Sequence, residues 1–189
     1  MLRSNLKFMI FVFTGNGQGK TTAAIGKGIR AKGAGRKVLM VQFLKTKNSS
    51  EYKILKNLFE IKTFGLKGFF LPEDQLTGRP ELKKRGIKPF SEEYKNLIKK
   101  GWNFVKKNLE SGKYNFFILD EINVALYYRL IDKKEFLSFF KKVDRRLDIV
   151  LTGRYAPKEI IEIADLVTEF REIKHPFQKG EKAKKGIDF

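Results

Sequence analysis

FMIFVFTGNGQGKTTAAIG, at residues 8–26, is the most informative stretch of the sequence. An apolar run leads into a glycine-rich turn that ends in Gly19-Lys20-Thr21, and a helix-forming segment follows. This strand–loop–helix order is the setting of a phosphate-binding loop. Glycines let successive backbone N–H groups point at a polyphosphate, and the helix N-terminus adds partial positive charge. The predicted nucleotide-binding residues are Gly15, Asn16, Gly17, Gln18, Gly19, Lys20, Thr21 and Thr22.

Two side chains of this loop carry the expected chemistry. Lys20 would reach the outer phosphates, and the Thr21 hydroxyl would bind Mg²⁺. The strict pattern GxxxxGK[ST] requires glycine where this chain has Thr14, and glycine comes one residue later, at Gly15. We therefore predict a variant phosphate loop; the alternative is a glycine-rich turn that binds no nucleotide.

Length and composition narrow the class of protein. The 189 residues suit one domain, here 1–189, and the absence of Cys excludes disulfides and thiolate metal sites. No apolar stretch is long enough to span a bilayer, so we expect a cytoplasmic protein without a membrane partner. The net charge is +19, from 40 Lys and Arg against 21 Asp and Glu, and the basic residues are dispersed. We expect no specific nucleic-acid partner, although a nucleic-acid function stays open as the alternative.

Strand and helix patterns alternate along the chain and predict an α/β fold, with a mostly parallel sheet and helices on both faces. Predicted strands cover residues 7–13, 37–44, 60–64, 114–119, 148–151 and 166–170. Predicted helices cover residues 20–32 and 51–58, begin after Ser91 and Asp132, and cover about 157–164. Residues 65–89 show no period, and we interpret them as a long functional loop. Trp102 is expected in the core.

A second chemical motif is the strand-like run FFILDE at residues 116–121. An apolar strand that ends in two acids commonly supplies the metal-binding half of a phosphate-loop site. We predict that Asp120 and Glu121, together with Thr21, hold Mg²⁺. The alternative is an ordinary strand end followed by a helix-capping acid.

Together these motifs resemble the P-loop corrinoid adenosyltransferases, a family with a P-loop NTPase-like, RecA-like fold. The resemblance covers nearly the whole chain, and the loop with Thr14 is that family's own form. Further similar segments are Val41-Gln42-Phe43-Leu44-Lys45, Leu119-Asp120-Glu121-Ile122-Asn123, Leu151-Thr152-Gly153-Arg154, Ala164-Asp165-Leu166-Val167-Thr168-Glu169, Lys174-His175-Pro176-Phe177 and Lys185-Gly186-Ile187-Asp188-Phe189. The last two belong to a predicted C-terminal tail at about 174–189.

The resemblance implies transfer of the 5′-deoxyadenosyl group of ATP to the cobalt of a reduced corrinoid, with triphosphate as the second product. It implies that the corrinoid is the substrate, that ATP is the co-substrate and that Mg²⁺ is the cofactor. It also implies a homodimer and an electron-donating flavoprotein reductase. Lys20, Thr21 and Phe69 are the catalytic candidates, and Arg30 is a candidate ATP contact. The rival functions are another P-loop kinase or ATPase, including a nucleic-acid-dependent one.

The corrinoid candidates lie mainly in the long loop, where family members carry a Gly-Phe-Thr-Trp segment. This chain has Gly68, Phe69, Phe70 and Leu71 there, so Leu71 stands at the Trp position. The aromatics are implied to remove the lower axial ligand from cobalt; the alternative is that they pack in the core. Arg154 is a further corrinoid candidate, and both Arg154 and Arg30 could instead be surface ion-pair partners.

Overall fold

The computed structural model describes residues 9–143 and 147–174, together with Lys184 and Gly186. The strands in this part of the chain are β1 (Met9–Thr14), β2 (Val38–Phe43), β3 (Glu60–Phe64), β4 (Phe69–Leu71), β5 (Ile87–Pro89), β6 (Phe116–Asp120), β7 (Asp148–Thr152) and β8 (Leu166–Glu169). The helices are α1 (Lys20–Gly33), α2 (Ser50–Leu55), α3 (Glu73–Leu76), α4 (Pro80–Lys84), α5 (Glu92–Glu110), α6 (Ile122–Tyr127), α7 (Lys133–Phe140) and α8 (Lys158–Ile163).

The central sheet is parallel throughout. Among the described residues it has six strands in the order β3-β2-β6-β7-β1-β8, and every neighbouring pair runs in the same direction. The predicted α/β class with a parallel sheet is thus confirmed. Strand β7 separates β1, which precedes the phosphate loop, from β6, which ends in the acids.

Both faces of the sheet are buried because side chains alternate along each strand. Val12 of β1 belongs to the core on one face, where α5, α6, α7 and α8 pack. Its neighbour Phe11 belongs to the core on the other face, where α1 and α2 pack. This arrangement explains why the strands read as continuous apolar runs in the sequence.

Two predicted helix starts and the core role of Trp102 are confirmed. The Ser91 hydroxyl accepts a hydrogen bond from the Tyr94 N–H at 3.2 Å, and the Asp132 carboxylate accepts one from the Glu135 N–H at 2.7 Å. Trp102 is buried and stacks on Phe136 with ring centroids 5.1 Å apart. The Ser91 and Asp132 side chains each satisfy a helix N–H that has no partner within the helix.

The segment 65–89 differs from the structureless loop predicted for it. It contains α3, α4 and the strands β4 and β5, which pair in parallel as a small separate sheet. These elements have three to five residues each. Such lengths are too short for a period of 2 or 3.6 to be recognised in the sequence. The short helix α6 was not predicted either, for the same reason.

No helix in the described part of the chain is long and apolar enough to cross a membrane. Most of the predicted tail at 174–189, including His175, lies outside the described residues.

Candidate phosphate-binding and metal site

The candidate site lies where parallel strands end at the same edge of the sheet. The register aligns Gln42 of β2 with Asp120 of β6, and Phe13 of β1 with Thr152 of β7. The end of β7, at Thr152, therefore lies between the loop after β1 and the acids that end β6. Carboxyl ends of parallel strands are the usual ligand side of such a sheet.

The phosphate loop packs closely on the backbone that follows β8. The Gly17 N–H donates to the Phe170 carbonyl at 2.7 Å. A Cβ atom added to Gly15 would lie 2.4 Å from the same carbonyl oxygen, and the φ angle of Gly15 is +93°. Thr14 is still part of β1, and its hydroxyl accepts a hydrogen bond from the Ala156 N–H. Glycine is thus required at position 15, which explains the variant form of the loop.

The Lys20 ammonium lies inside the loop. It donates to the carbonyls of Gly15 and Gly17 at 2.8 and 2.6 Å. Burial lowers the pKa of Lys20 from its ordinary value, and the Glu121 carboxylate opposes part of this shift. These two hydrogen bonds hold the amine where it would contact an anion bound to the loop.

Asp120 is the centre of the polar network at this edge. It is completely buried and accepts four hydrogen bonds from side chains. One oxygen accepts from Thr21 at 2.9 Å and Thr152 at 2.6 Å. The other accepts from Gln42 at 3.1 Å and Lys45 at 2.9 Å. Burial alone would raise the pKa of Asp120, but Lys45 and these hydrogen bonds hold it below its usual range.

Glu121 follows in an unusual backbone conformation. Its φ angle is +61°, and its N–H donates to the Thr152 hydroxyl at 3.1 Å. Left-handed conformations in residues other than glycine cost free energy and are common at functional sites. Burial and the adjacent Asp120 carboxylate raise the pKa of Glu121. A cation bound between the two acids would relieve this repulsion.

Thr21, Asp120 and Glu121 form a donor set that suits Mg²⁺. Hydroxyl and carboxylate oxygens are the ligands that Mg²⁺ prefers, and it usually takes the rest from water and substrate phosphates. Within the described ranges, no group of three or more His, Cys, Asp or Glu side chains could hold a metal ion alone. These residues therefore fit a metal that takes its remaining ligands from water or from nucleotide phosphates, and not a metal held in a protein cage.

Comparison with known proteins identifies the family. Residues 7–189 match the model of the family described as ATP:corrinoid adenosyltransferase BtuR/CobO/CobP. The chain belongs to this adenosyltransferase family.

Individual relatives agree. A corrinoid adenosyltransferase from Sinorhizobium is 34% identical over 190 residues, covering 99% of this chain and 83% of the relative. One from Escherichia coli K12 is 31% identical and covers 96% and 85%. Corrinoid adenosyltransferase CobA from Salmonella typhimurium is also 31% identical, with the same two shares covered. The chain is thus an enzyme of the corrinoid-adenosylating class.

The structure of this adenosyltransferase-family chain brings most predicted site residues together, but not all. Arg154 lies beside the phosphate loop, where its guanidinium donates to the Asn16 carbonyl at 3.3 Å. Arg154 therefore lies at the rim of the phosphate loop, and its corrinoid role stays a prediction beside an ATP contact. Arg30 is exposed on α1, ten residues beyond Lys20 and so about 15 Å along the helix axis. The structure does not bring Arg30 to the loop.

The corrinoid candidates of the adenosyltransferase lie in and beside the strand β4. Phe69 is 77% exposed, whereas Phe70 stacks on Tyr94 with ring centroids 4.4 Å apart. Leu71 is half-buried, and Gly68 precedes the strand with a φ angle of +125°. Neighbouring rings in one short strand therefore have opposite surroundings, one in solvent and one against α5.

Three residues of the candidate site, Gln42, Lys45 and Thr152, lie in segments that resemble the family, but none of them was predicted as a site residue. Thr152 and Gln42 are polar residues at or near the end of apolar strands, which is a usable signal. Lys45 follows β2 by two residues, in a chain rich in surface lysines. Composition gave no reason to separate it from the others.

Proposed function

We propose that this enzyme transfers the 5′-deoxyadenosyl group of ATP to the cobalt of a reduced corrinoid and releases triphosphate. One observation supports the proposal most: a phosphate loop meets the buried Asp120 and the partly buried Glu121 at one edge of the sheet, in a chain of the corrinoid adenosyltransferase family. Each of these features alone would fit a generic ATPase.

The phosphate loop would bind the triphosphate. Lys20 already donates to two loop carbonyls, and phosphate oxygens can replace either acceptor without moving the amine far. The N-terminus of α1 begins at Lys20 and adds partial positive charge. Arg154, which contacts Asn16, supplies a further cation at the rim of the loop.

Mg²⁺ would be held by Thr21, Asp120 and Glu121 together with the phosphates. When bound, the ion would neutralise charge on the triphosphate. The raised pKa of Glu121 reflects its burial and the repulsion of Asp120, which a divalent cation would offset. The protein residues would thus fix the triphosphate as a leaving group.

The reaction then requires positioning rather than a protein nucleophile. The electron pair of Co(I) attacks C5′ of ATP, a cobalt–carbon bond forms, and the C5′–O bond breaks with its pair leaving on the triphosphate. The nucleophile comes from the corrinoid substrate. The enzyme's contribution is to align C5′ with cobalt and to stabilise the negative charge that develops on the departing oxygen.

The segment around Phe69 would contact the corrinoid. Its exposed ring offers apolar surface, while Phe70 anchors the strand on α5. A homodimer and a flavoprotein reductase rest on the family resemblance, and a cytoplasmic location rests on the sequence alone; all three remain predictions.

Product analysis tests the proposal. The protein is incubated anaerobically with ATP, Mg²⁺ and chemically reduced cobalamin, and the products are separated. We expect triphosphate and a light-sensitive adenosylcorrinoid in equal amounts, and neither product when cobalamin is omitted. ADP and phosphate formed without cobalamin would instead support a kinase or ATPase.

A further inference from the structure

Lys45 is placed in the candidate metal site by the turn that follows β2. Leu44 has a φ angle of +59°, and its N–H donates to the Phe64 carbonyl at 2.8 Å. Gly65 packs so closely on this turn that an added Cβ would lie 2.5 Å from the backbone nitrogen of Lys45. The turn directs the lysine side chain back under the end of the sheet, where 27% of it is exposed.

The Lys45 ammonium contacts the same oxygens that the proposed metal would use. Its nitrogen lies 2.9 Å from one oxygen of Asp120 and 3.2 Å from the Thr21 hydroxyl oxygen. That hydroxyl donates its own proton to the other oxygen of Asp120 at 2.9 Å, so it meets Lys45 with a lone pair. Mg²⁺ bound to Thr21 would need this lone pair as well.

We propose that Lys45 and Mg²⁺ compete for Thr21 and Asp120. Lys45 is an internal cation that balances the buried carboxylate and keeps the hydroxyl in ligating orientation, and the metal displaces it on binding. Glu51 of α2 offers the displaced amine an acceptor, because its carboxylate oxygen lies 3.8 Å from Lys45. This inference rests on the Mg²⁺ site of the proposed function, but not on adenosyl transfer.

The competition has a measurable consequence for the protein alone. Asp120 is fully buried, and a buried carboxylate without a cation destabilises the folded state. Replacing Lys45 by the uncharged Met should therefore lower the melting temperature by about 6–20 °C. It should also free the site, so that Mg²⁺ binds at least about tenfold more tightly than in the wild type.

The experiment is a thermal melt of wild type and Lys45→Met across a MgCl₂ titration, without ATP or corrinoid, against NaCl at equal ionic strength. Mg²⁺ should restore much of the lost stability of Lys45→Met and change the wild type little. Lys62→Met is the matched control, because Lys62 is a half-exposed lysine paired with Glu60 away from the site. Its Mg²⁺ response should equal that of the wild type.

A double variant keeps the test decisive if Lys45→Met folds poorly. Lys45→Met with Asp120→Asn removes both charges, and it should recover stability while losing the response to Mg²⁺. The proposed competition would be overturned if Mg²⁺ raised the melting temperatures of wild type and Lys45→Met equally. It would also be overturned if Mg²⁺ stabilised the double variant as much as Lys45→Met. Since neither substrate is present, this outcome is independent of whether triphosphate is the product.

Discussion

The phosphate loop and the segment 65–89 both begin at the carboxyl edge of the sheet, but they are held in different ways. The loop is fixed by backbone contacts with Phe170 and by the Thr21–Asp120 hydrogen bond, which joins it to a strand with no exposed residue. The segment is held mainly by side chains, with Phe70 stacked on Tyr94 and Leu76 buried.

This difference matches the two tasks of the proposed reaction. Charge stabilisation works best when donors are held in place before the substrate arrives, because no reorganisation is then needed. A large planar substrate instead requires a surface that can adjust to it or close over it. The part joined to the sheet by the Thr21–Asp120 hydrogen bond carries the charged groups, and the segment 65–89 carries the exposed aromatic ring.

The largest expected effect comes from the phosphate loop. Lys20→Ala removes the ammonium that lies between Gly15 and Gly17, and the rate of adenosyl transfer should fall by about 10²–10³. Steady-state turnover with reduced corrinoid measures this loss. Lys32→Ala, an exposed lysine near the end of the same helix, should keep the wild-type rate. Full activity of Lys20→Ala would remove the loop from the mechanism.

A substitution at Gly65, where the segment 65–89 packs on the turn after β2, should have an intermediate effect, and this effect should be on stability. Gly65→Ala would place a methyl group 2.5 Å from the backbone nitrogen of Lys45 and 2.6 Å from the carbonyl carbon of Leu44, so the backbone must shift. We expect a loss of about 1–3 kcal/mol in the free energy of unfolding, measured by urea denaturation.

Gly26→Ala is the control for this experiment, because a Cβ there meets nothing within 4 Å and α1 gains a better helix former. It should be neutral or stabilising. If Gly65→Ala were equally harmless, close packing would not be the reason for glycine at this position.

The same contrast explains what the sequence could predict. Long apolar runs such as residues 8–13 and 114–119 identified sheet strands to within two residues, because burial on both faces leaves a strong signal. Lys20 could be predicted as a phosphate contact, and Thr21 and Asp120 as Mg²⁺ ligands, because of the chemistry of their side chains. Lys45 could not be predicted, because its position depends on the backbone of Leu44 and on contact with Gly65, which is distant in sequence.

In the segment 65–89, sequence reasoning did not predict the short helices and strands that the structure has there. Three-residue strands have no recognisable period, so β4 and β5 were not predicted. Phe70 of β4 also contacts Tyr94 of α5, which is more than twenty residues away in the chain. Which of two adjacent phenylalanines is exposed follows only from that contact.

The smallest effect on stability is expected at Phe69, and it is the most informative about the substrate. Because this side chain is 77% exposed, Phe69→Ala should change the free energy of unfolding by no more than about 0.5 kcal/mol. Phe70→Ala is the matched variant, and losing its stack on Tyr94 should cost about 2 kcal/mol. Thermal melts of the two variants check this ordering.

The activity of Phe69→Ala decides whether the exposed ring acts on the corrinoid. An apolar ring over the lower face would exclude water and an axial base from cobalt, and cobalt without that ligand is easier to reduce. Phe69→Ala should therefore bind ATP normally and adenosylate a corrinoid supplied as Co(I) nearly as fast as the wild type. It should slow the reaction that starts from Co(II) and in which an added one-electron reductant supplies the electron. Leu71→Trp should favour the same step. A Phe69→Ala protein that uses Co(II) corrinoid at the normal rate would show that the segment serves only to cover α5, and the corrinoid would then have to be sought beside Arg154 at the phosphate loop.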